Sequence, residues 1–62
     1  MVADIDIWRT ATYLIKNRDD AEMYAALRAN ELLAAGDTDG NRVWIRIGLA
    51  IRNLQERNAT QG

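Results

Sequence analysis

Apolar residues recur at helical intervals along most of the chain, and this pattern predicts three helices. In the first segment they form one stripe at about 100° per residue, made of Ile7, Trp8, Ala11, Leu14 and Ile15. The last segment has an equally strong stripe, made of Val43, Trp44, Ile47, Ala50, Ile51 and Leu54. Because the chain contains no proline and no sustained two-residue alternation, helix is the expected state throughout. We expect both tryptophans to be substantially buried.

The middle segment has apolar residues on two sides. One side holds Ala21, Ala25, Ala29, Leu32 and Leu33, and nearly the opposite side holds Met23, Leu27 and Ala34. An alanine-rich side allows a neighbouring helix to approach closely, so we expect this middle helix to contact both of the others.

Polar residues separate the first two helices. Asp4 or Asp6 is expected to cap the first helix, because an aspartate accepts hydrogen bonds from free N–H groups of the first turn. Asp19 and Glu22 have the spacing of a capping box, which predicts that the second helix begins there.

A second break follows at Gly36. This glycine is expected to have a positive φ, because it directly follows an uninterrupted helical run. Asp37 or Asp39 is expected to cap the third helix. The connection is short, so the two helices that it joins should be antiparallel neighbours.

These patterns predict a single all-α domain over residues 1–62, folded as a compact three-helix bundle. The helices are expected at residues 5–17, 20–35 and 40–56, with helices 2 and 3 as an antiparallel hairpin and a polar tail at 57–62. A chain of this length buries only about 60% of the surface that it exposes when unfolded. Cysteine is absent, so a small core has to suffice or an oligomer has to supplement it.

The composition is poor in catalytic side chains. Histidine, cysteine and serine are all absent, which removes the usual general base and the usual nucleophiles. The acidic residues lie mostly at expected helix starts, where capping explains them. We therefore expect no enzyme activity, no catalytic residue, no cofactor and no small-molecule ligand.

The turn AGDTDGN has some likeness to a calcium-binding loop. Aligning Gly40 with the glycine of such a loop puts Asp37 and Asp39 at ligand positions. The first ligand position is then Ala35, and the position that requires a bidentate glutamate is Arg46. A capped turn explains these residues better, and no metal site is expected.

Two apolar patches lie away from the expected core. Ile45 and Leu49 are four residues apart, roughly opposite the stripe of the third helix, and are flanked by Arg42 and Arg46. A second patch on the middle helix consists of Met23, Tyr24 and Leu27. Two such patches on adjacent helices of a small protein indicate a protein interface. We expect a homodimer, or otherwise a different protein partner.

Charge is unevenly distributed, although the net charge is only -1. Residues up to Asn41 include four basic and eight acidic side chains, whereas the remainder has four arginines and one glutamate. Arg42, Arg46 and Arg57 share one side of the third helix, so nucleic-acid association is the alternative function. The acidity of the whole chain disfavours it.

The sequence predicts a cytoplasmic protein without a membrane span. The first residues, MVADIDIW, have no basic head followed by an apolar run, as a signal peptide would.

The segment ALRANELLAAGDTDGNRVWIRIGLAIRNLQ resembles a group of short, uncharacterised proteobacterial proteins that share an A-x-x-R-A-x-x-L-L-x-x-G-D-x-x-G-x-x-V-W-x-R-I core. The matching residues are Ala25, Arg28, Ala29, Leu32, Leu33, Gly36, Asp37, Gly40, Val43, Trp44, Arg46 and Ile47. The resemblance covers about half of the chain and implies a small helical protein of bacterial origin. It implies no activity, ligand or partner.

Overall fold

The chain folds into three helices, which confirms the all-α class and the three-helix bundle. They are α1 (Asp4–Asn17), α2 (Ala21–Ala34) and α3 (Thr38–Thr60). The computed structural model describes residues 3–60, and side chains for residues 3–58. Among these residues there is no strand. No helix in this part of the chain is long and apolar enough to span a bilayer.

The third helix, rather than the second, is the central element of the bundle. Helix α2 lies antiparallel along α3, and α1 packs on α3 while barely touching α2. Asn41 ties the two ends of the hairpin together, because its side-chain amide donates a hydrogen bond of 2.7 Å to the carbonyl oxygen of Ala29. Helix α2 therefore contacts both neighbours, as expected, but its contact with α1 is slight. Its buried alanines face α3, and its second apolar side faces solvent.

The core is built mainly from small and branched aliphatic side chains. Its buried members are Ile7, Ala11 and Leu14 from α1, Ala21 and Ala25 from α2, and Ile47, Ala50 and Ile51 from α3. Ile51 is fully buried, and burial of a side chain of this size stabilises the fold by about 1.5–3 kcal/mol. A Cβ atom on Gly48 would make an ordinary contact of 3.6 Å with the Cβ of Ala25, so Ala25 of α2 lies directly opposite Gly48 of α3.

Neither tryptophan is in the centre of this core. Trp8 is 41% exposed, and Trp44 is half-buried against the edge of the core. The expectation that Trp8 is substantially buried is wrong for a geometric reason. The buried residues of α1 are Ile7, Ala11 and Leu14. Trp8 lies about 100° around the helix from Ile7, at the edge of the stripe, so its indole lies at the rim of the core.

The first two helices begin without side-chain caps. Ala3 is the N-cap of α1, and Asp4 and Asp6 lie inside the first turn, where a negative charge interacts favourably with the helix dipole. Helix α2 begins at Ala21, and its N-cap is Asp20, whose side chain makes no cap hydrogen bond. The capping roles expected of Asp4, Asp6 and Asp19 are therefore wrong. The carboxylate of Asp20 instead binds Arg18, with Nε to Oδ1 at 2.9 Å.

The turn between α2 and α3 follows the sequence expectation closely. Gly36 has a φ of 84°, which confirms its left-handed conformation. Its N–H donates to the carbonyl of Leu33 at 3.0 Å, and the next N–H donates to Leu32 at 2.8 Å, the hydrogen-bond pair of a Schellman motif. Asp37 then caps α3, because its Oδ1 accepts a 2.8 Å hydrogen bond from the N–H of Gly40.

Helix α3 is longer at both ends than the sequence indicates. It begins at Thr38, directly after the Asp37 cap, and continues to Thr60. Residues 57–60, expected in a polar tail, are therefore helical, because a polar composition does not end a helix without a breaking residue. Residues 61 and 62 of the expected tail lie outside the described residues.

Candidate self-association surface

The two aliphatic residues singled out on the third helix lie on its solvent side. Ile45 is 48% exposed and Leu49 is 58% exposed. They are one helical turn apart and form a ridge on the side of α3 opposite the buried Ile47 and Ile51. We call these two residues the α3 ridge. The α3 ridge is the apolar part of the helix that does not belong to the core formed with α1 and α2.

A groove runs along the ridge between α2 and α3. It encloses about 190 Å³, and the residues that line it besides the ridge are Glu22, Ala26, Ala29, Trp44, Gly48 and Arg52. Three of these, Ala26, Ala29 and Gly48, have almost no side chain. A helix from another molecule could therefore approach this part of the surface closely.

A second groove lies on the other side of the ridge, between α1 and α3. It encloses about 330 Å³, and Asp4, Ile7, Trp8, Arg46, Leu49, Ala50 and Asn53 line it. Its walls are more polar than those of the first groove, because a carboxylate, a guanidinium and an amide border it. Leu49 belongs to both grooves and is therefore the most prominent apolar point of this surface.

Two of the arginines beside the ridge are held by acidic residues of the same chain. Arg46 of α3 forms an ion pair with Asp4 of α1. Arg52 forms one with Glu22 of α2, with Nη2 to Oε2 at 2.7 Å. The carboxylate of Glu22 holds the pKa of Arg52 above its ordinary value. Part of the charge asymmetry of the sequence is thus neutralised within one chain.

Arg42 differs from these two arginines. It is exposed at the start of α3 and forms no ion pair with any described residue. It shares the solvent side of α3 with the ridge. Its charge is therefore available to an external group.

The patch expected on α2 is smaller than the sequence indicates. Met23 and Leu27 are 64% and 55% exposed, but Tyr24 is half-buried and packs against the core. Its ring contacts Trp44 edge-on, with centroids 5.8 Å apart and planes at 77°. The guanidinium of Arg18 lies over the Tyr24 ring, 4.1 Å from its centroid. Tyr24 therefore does not share the exposed face of Met23 and Leu27.

Arg18 links this aromatic pair to the start of α2. Its ion pair with Asp20 raises the pKa of the Arg18 guanidinium and lowers the pKa of the Asp20 carboxyl, in each case mainly through the hydrogen bond between them. Both groups are exposed to solvent, so the electrostatic gain is modest.

Sequence reasoning missed an exposed aromatic area on α1. Ile5 and Tyr13 are largely exposed, and with Trp8 they border a shallow depression that also includes Arg9, Thr12 and Lys16. The helical positions of Ile5 and Tyr13 outside the apolar stripe were the available signal. The helical period places Trp8 in the apolar stripe, so the sequence does not indicate that its side chain contributes to this exposed area.

The described residues include no group of three or more histidine, cysteine, aspartate or glutamate side chains that could hold a metal ion. In the turn that has some likeness to a calcium loop, Asp37 is engaged as a helix cap. The α3 surface itself is apolar at Ile45 and Leu49 and is bordered by charged side chains.

Comparison of the chain with protein-family models, with curated proteins and with solved structures found no match. The resemblance to short proteobacterial helical proteins stays a prediction.

Proposed function

We propose that this protein is a small, non-enzymatic interaction module of the cytoplasm that associates with itself as a homodimer. The observation that carries the proposal is the α3 ridge. Ile45 and Leu49 lie at the middle of the central helix, on the side that the other two helices leave open. If the chain does not bind a second copy, we propose that a different protein binds the same ridge.

The energetics of the small fold support self-association. Full burial of a leucine or isoleucine stabilises a structure by about 1.5–3 kcal/mol, and each ridge residue retains about half of its surface in water. Contact with a second copy would therefore add about 1 kcal/mol per ridge side chain. This gain matters in a domain whose core includes four alanines among its eight buried members.

The total exposed surface is larger than that of a compact protein of this mass. The chain exposes 4665 Å², whereas a compact folded protein of 7.0 kDa exposes about 4,000 Å². The excess of roughly 600 Å² is similar to what one partner covers at the low end of specific interfaces. The dimensions of 41 × 22 × 17 Å account for the excess, because an elongated bundle buries a smaller fraction of its own surface than a spherical one.

Nucleic-acid association, the alternative suggested by the sequence, has less support. Phosphate binding requires arginines that are available to counter phosphate charge. Of the three arginines on which the alternative rests, Arg46 is already paired with Asp4, and the nearby Arg52 is paired with Glu22. If the protein is not retained on RNA or DNA even at low salt, this result would count further against nucleic-acid association.

Mass measurement in solution tests the proposal. We expect a dimer at micromolar concentration, with a melting temperature that rises with protein concentration, because association stabilises the folded state by mass action. The double variant Ile45→Glu/Leu49→Glu should be monomeric, because it places charge in the contact. Its helical content should be unchanged, since neither residue is in the core.

A matched control comes from the exposed pair on α2. Met23→Glu/Leu27→Glu makes the same chemical change at residues of similar exposure, and it should leave the dimer intact. A wild-type protein that is monomeric and melts at one temperature at every dilution would refute self-association. If the α2 variant dissociates the dimer and the α3 variant does not, the assignment of the interface to the α3 ridge is refuted.

A further inference from the structure

We infer that the exposed side of α1 is a second binding surface, which attaches the protein peripherally to an anionic lipid membrane. We call this surface the α1 face. Its residues are Ile5, Trp8, Arg9, Thr12, Tyr13 and Lys16. Binding through the α1 face does not require a second copy of the chain, because it includes neither residue of the α3 ridge.

Three side chains of the α1 face present apolar surface to solvent. Ile5 and Tyr13 are largely exposed, and the indole of Trp8 is partly exposed beside them. Tryptophan and tyrosine are the side chains enriched at the boundary between lipid and water, because each combines an apolar ring with one polar group. The apolar part of the α1 face is therefore of the kind that partitions into a lipid interface.

The charged side chains of the α1 face are both cations. Arg9 and Lys16 are exposed and lie seven residues apart, about 10 Å along the helix. Neither forms an ion pair with a described residue. The acidic residues of α1, Asp4 and Asp6, do not line the face, and Asp4 is paired with Arg46. Unpaired positive charge beside apolar side chains is complementary to anionic headgroups above hydrocarbon.

The shape of the α1 face favours a membrane over a helix from another protein. All of its residues belong to α1, so it is the convex side of a single helix with a shallow depression. A partner helix is typically bound in a groove, and the grooves between helices lie beside the α3 ridge. Because Ile7, Ala11 and Leu14 hold the other side of α1 in the core, the helix would lie flat in the headgroup region.

Vesicles made of equal parts of phosphatidylcholine and phosphatidylglycerol test the role of charge. The full chain should co-sediment with them, and the affinity should fall as salt is added. Arg9→Gln/Lys16→Gln should bind about 30-fold more weakly, because each cation near an anionic surface contributes about a fivefold gain. Arg28→Gln/Arg42→Gln makes the same change in net charge on the other two helices and should bind almost as tightly as the wild type.

A second pair of variants tests the apolar contact. Ile5→Ser/Tyr13→Ser should bind these vesicles about tenfold more weakly. Met23→Ser/Leu27→Ser is the matched control on α2 and should bind like the wild type, because it changes residues 64% and 55% exposed, compared with 61% and 64% for the first pair. All four side chains are outside the core, so circular dichroism should show unchanged helical content in both variants.

Tryptophan fluorescence reports directly on the α1 face. The chain has two tryptophans, so Trp44→Phe leaves Trp8 as the single emitter. Its emission should shift to shorter wavelength when the anionic vesicles are added, because the indole leaves water. In Trp8→Phe the remaining emission comes from Trp44, which lies outside the α1 face, and it should not shift.

Several results would overturn the inference. They are absence of binding to the anionic vesicles, equally tight binding to phosphatidylcholine alone, and equal weakening by the Arg28→Gln/Arg42→Gln control. Retention on RNA that is lost in Arg9→Gln/Lys16→Gln, without vesicle binding, would assign the face to nucleic acid instead. A wild-type dimer that dissociates in Ile5→Ser/Tyr13→Ser would show that a second copy covers it. The mass of the wild type is measured without lipid, so the proposed self-association and the membrane contact can fail separately.

Discussion

The contact between Asp37 and Gly40 makes a quantitative prediction about the start of α3. A Cβ atom at position 40 would lie 2.6 Å from Oδ2 and 2.9 Å from Cγ of Asp37. The close approach of the capping carboxylate is what distinguishes this position, since Gly40 does not have a positive φ. In Gly40→Ala the carboxylate has to move away, and the 2.8 Å hydrogen bond from the N–H of residue 40 is lost.

Two effects of opposite sign then determine the stability of Gly40→Ala. Loss of an N-cap costs about 1 kcal/mol. Replacement of glycine by alanine within a helix stabilises it by about 0.8–1 kcal/mol. The two nearly cancel, so Gly40→Ala should have almost the stability of the wild type. In a chain that already carries Asp37→Ala there is no carboxylate to displace, and the same substitution should stabilise by the full 0.8–1 kcal/mol.

A double-mutant cycle in urea, followed by circular dichroism at one fixed protein concentration, measures this difference. We expect a coupling free energy of about 1 kcal/mol between positions 37 and 40. In thermal melts this corresponds to about 4–8 °C for a domain of this size. If Gly40→Ala stabilises equally with and without Asp37→Ala, the carboxylate does not occupy the space over Gly40 and our account of this cap is wrong.

Three other substitutions test the turn, the helix contact and the first ion pair. Gly36→Val should destabilise by about 1 kcal/mol or more, because φ is 84° while nothing lies within 4 Å of the new Cβ; unchanged stability would show that α2 does not end there. Gly48→Ala should stabilise by about 0.5–1 kcal/mol, because its Cβ would make an ordinary 3.6 Å contact with Ala25; destabilisation would indicate a tighter helix contact. Arg18 lowers the pKa of Asp20, so the stability from this pair is complete above the unfolded pKa of about 3.9 and is lost as the pH falls through the lower folded pKa. Urea titrations of Asp20→Asn should therefore show a shallower loss of stability below about pH 4 than the wild type, and parallel curves would contradict this.

The sequence by itself determined the helical class, the number of helices and the turn before α3. These features depend on local interactions. The period of the apolar residues sets the helices, and the left-handed conformation of Gly36 follows from its place after a helical run. The cap by Asp37 is also local, because donor and acceptor are three residues apart. Even so, the close approach of this carboxylate to Gly40 is visible only in the three-dimensional structure.

The central position of α3 was decided by the tertiary structure. The apolar residues of α2 lie on two sides, and the sequence gives no reason to prefer one of them as the buried side. In the folded protein the alanine side is buried, and Ala25 lies opposite Gly48 of α3. Met23 and Leu27 were left in solvent as a consequence.

The tertiary structure also decided which residues at the edge of a stripe are buried and which charges meet. A helical period assigns Trp8 to a stripe, but only the direction of the neighbouring helix determines that its indole lies at the rim. Arg46 is 42 residues from Asp4, and no local rule pairs residues so far apart. The position of Ile45 and Leu49 opposite the core could be read from the sequence, because one helix alone fixes the angle between its own side chains. What lies beside that ridge depends on how the other two helices pack around α3.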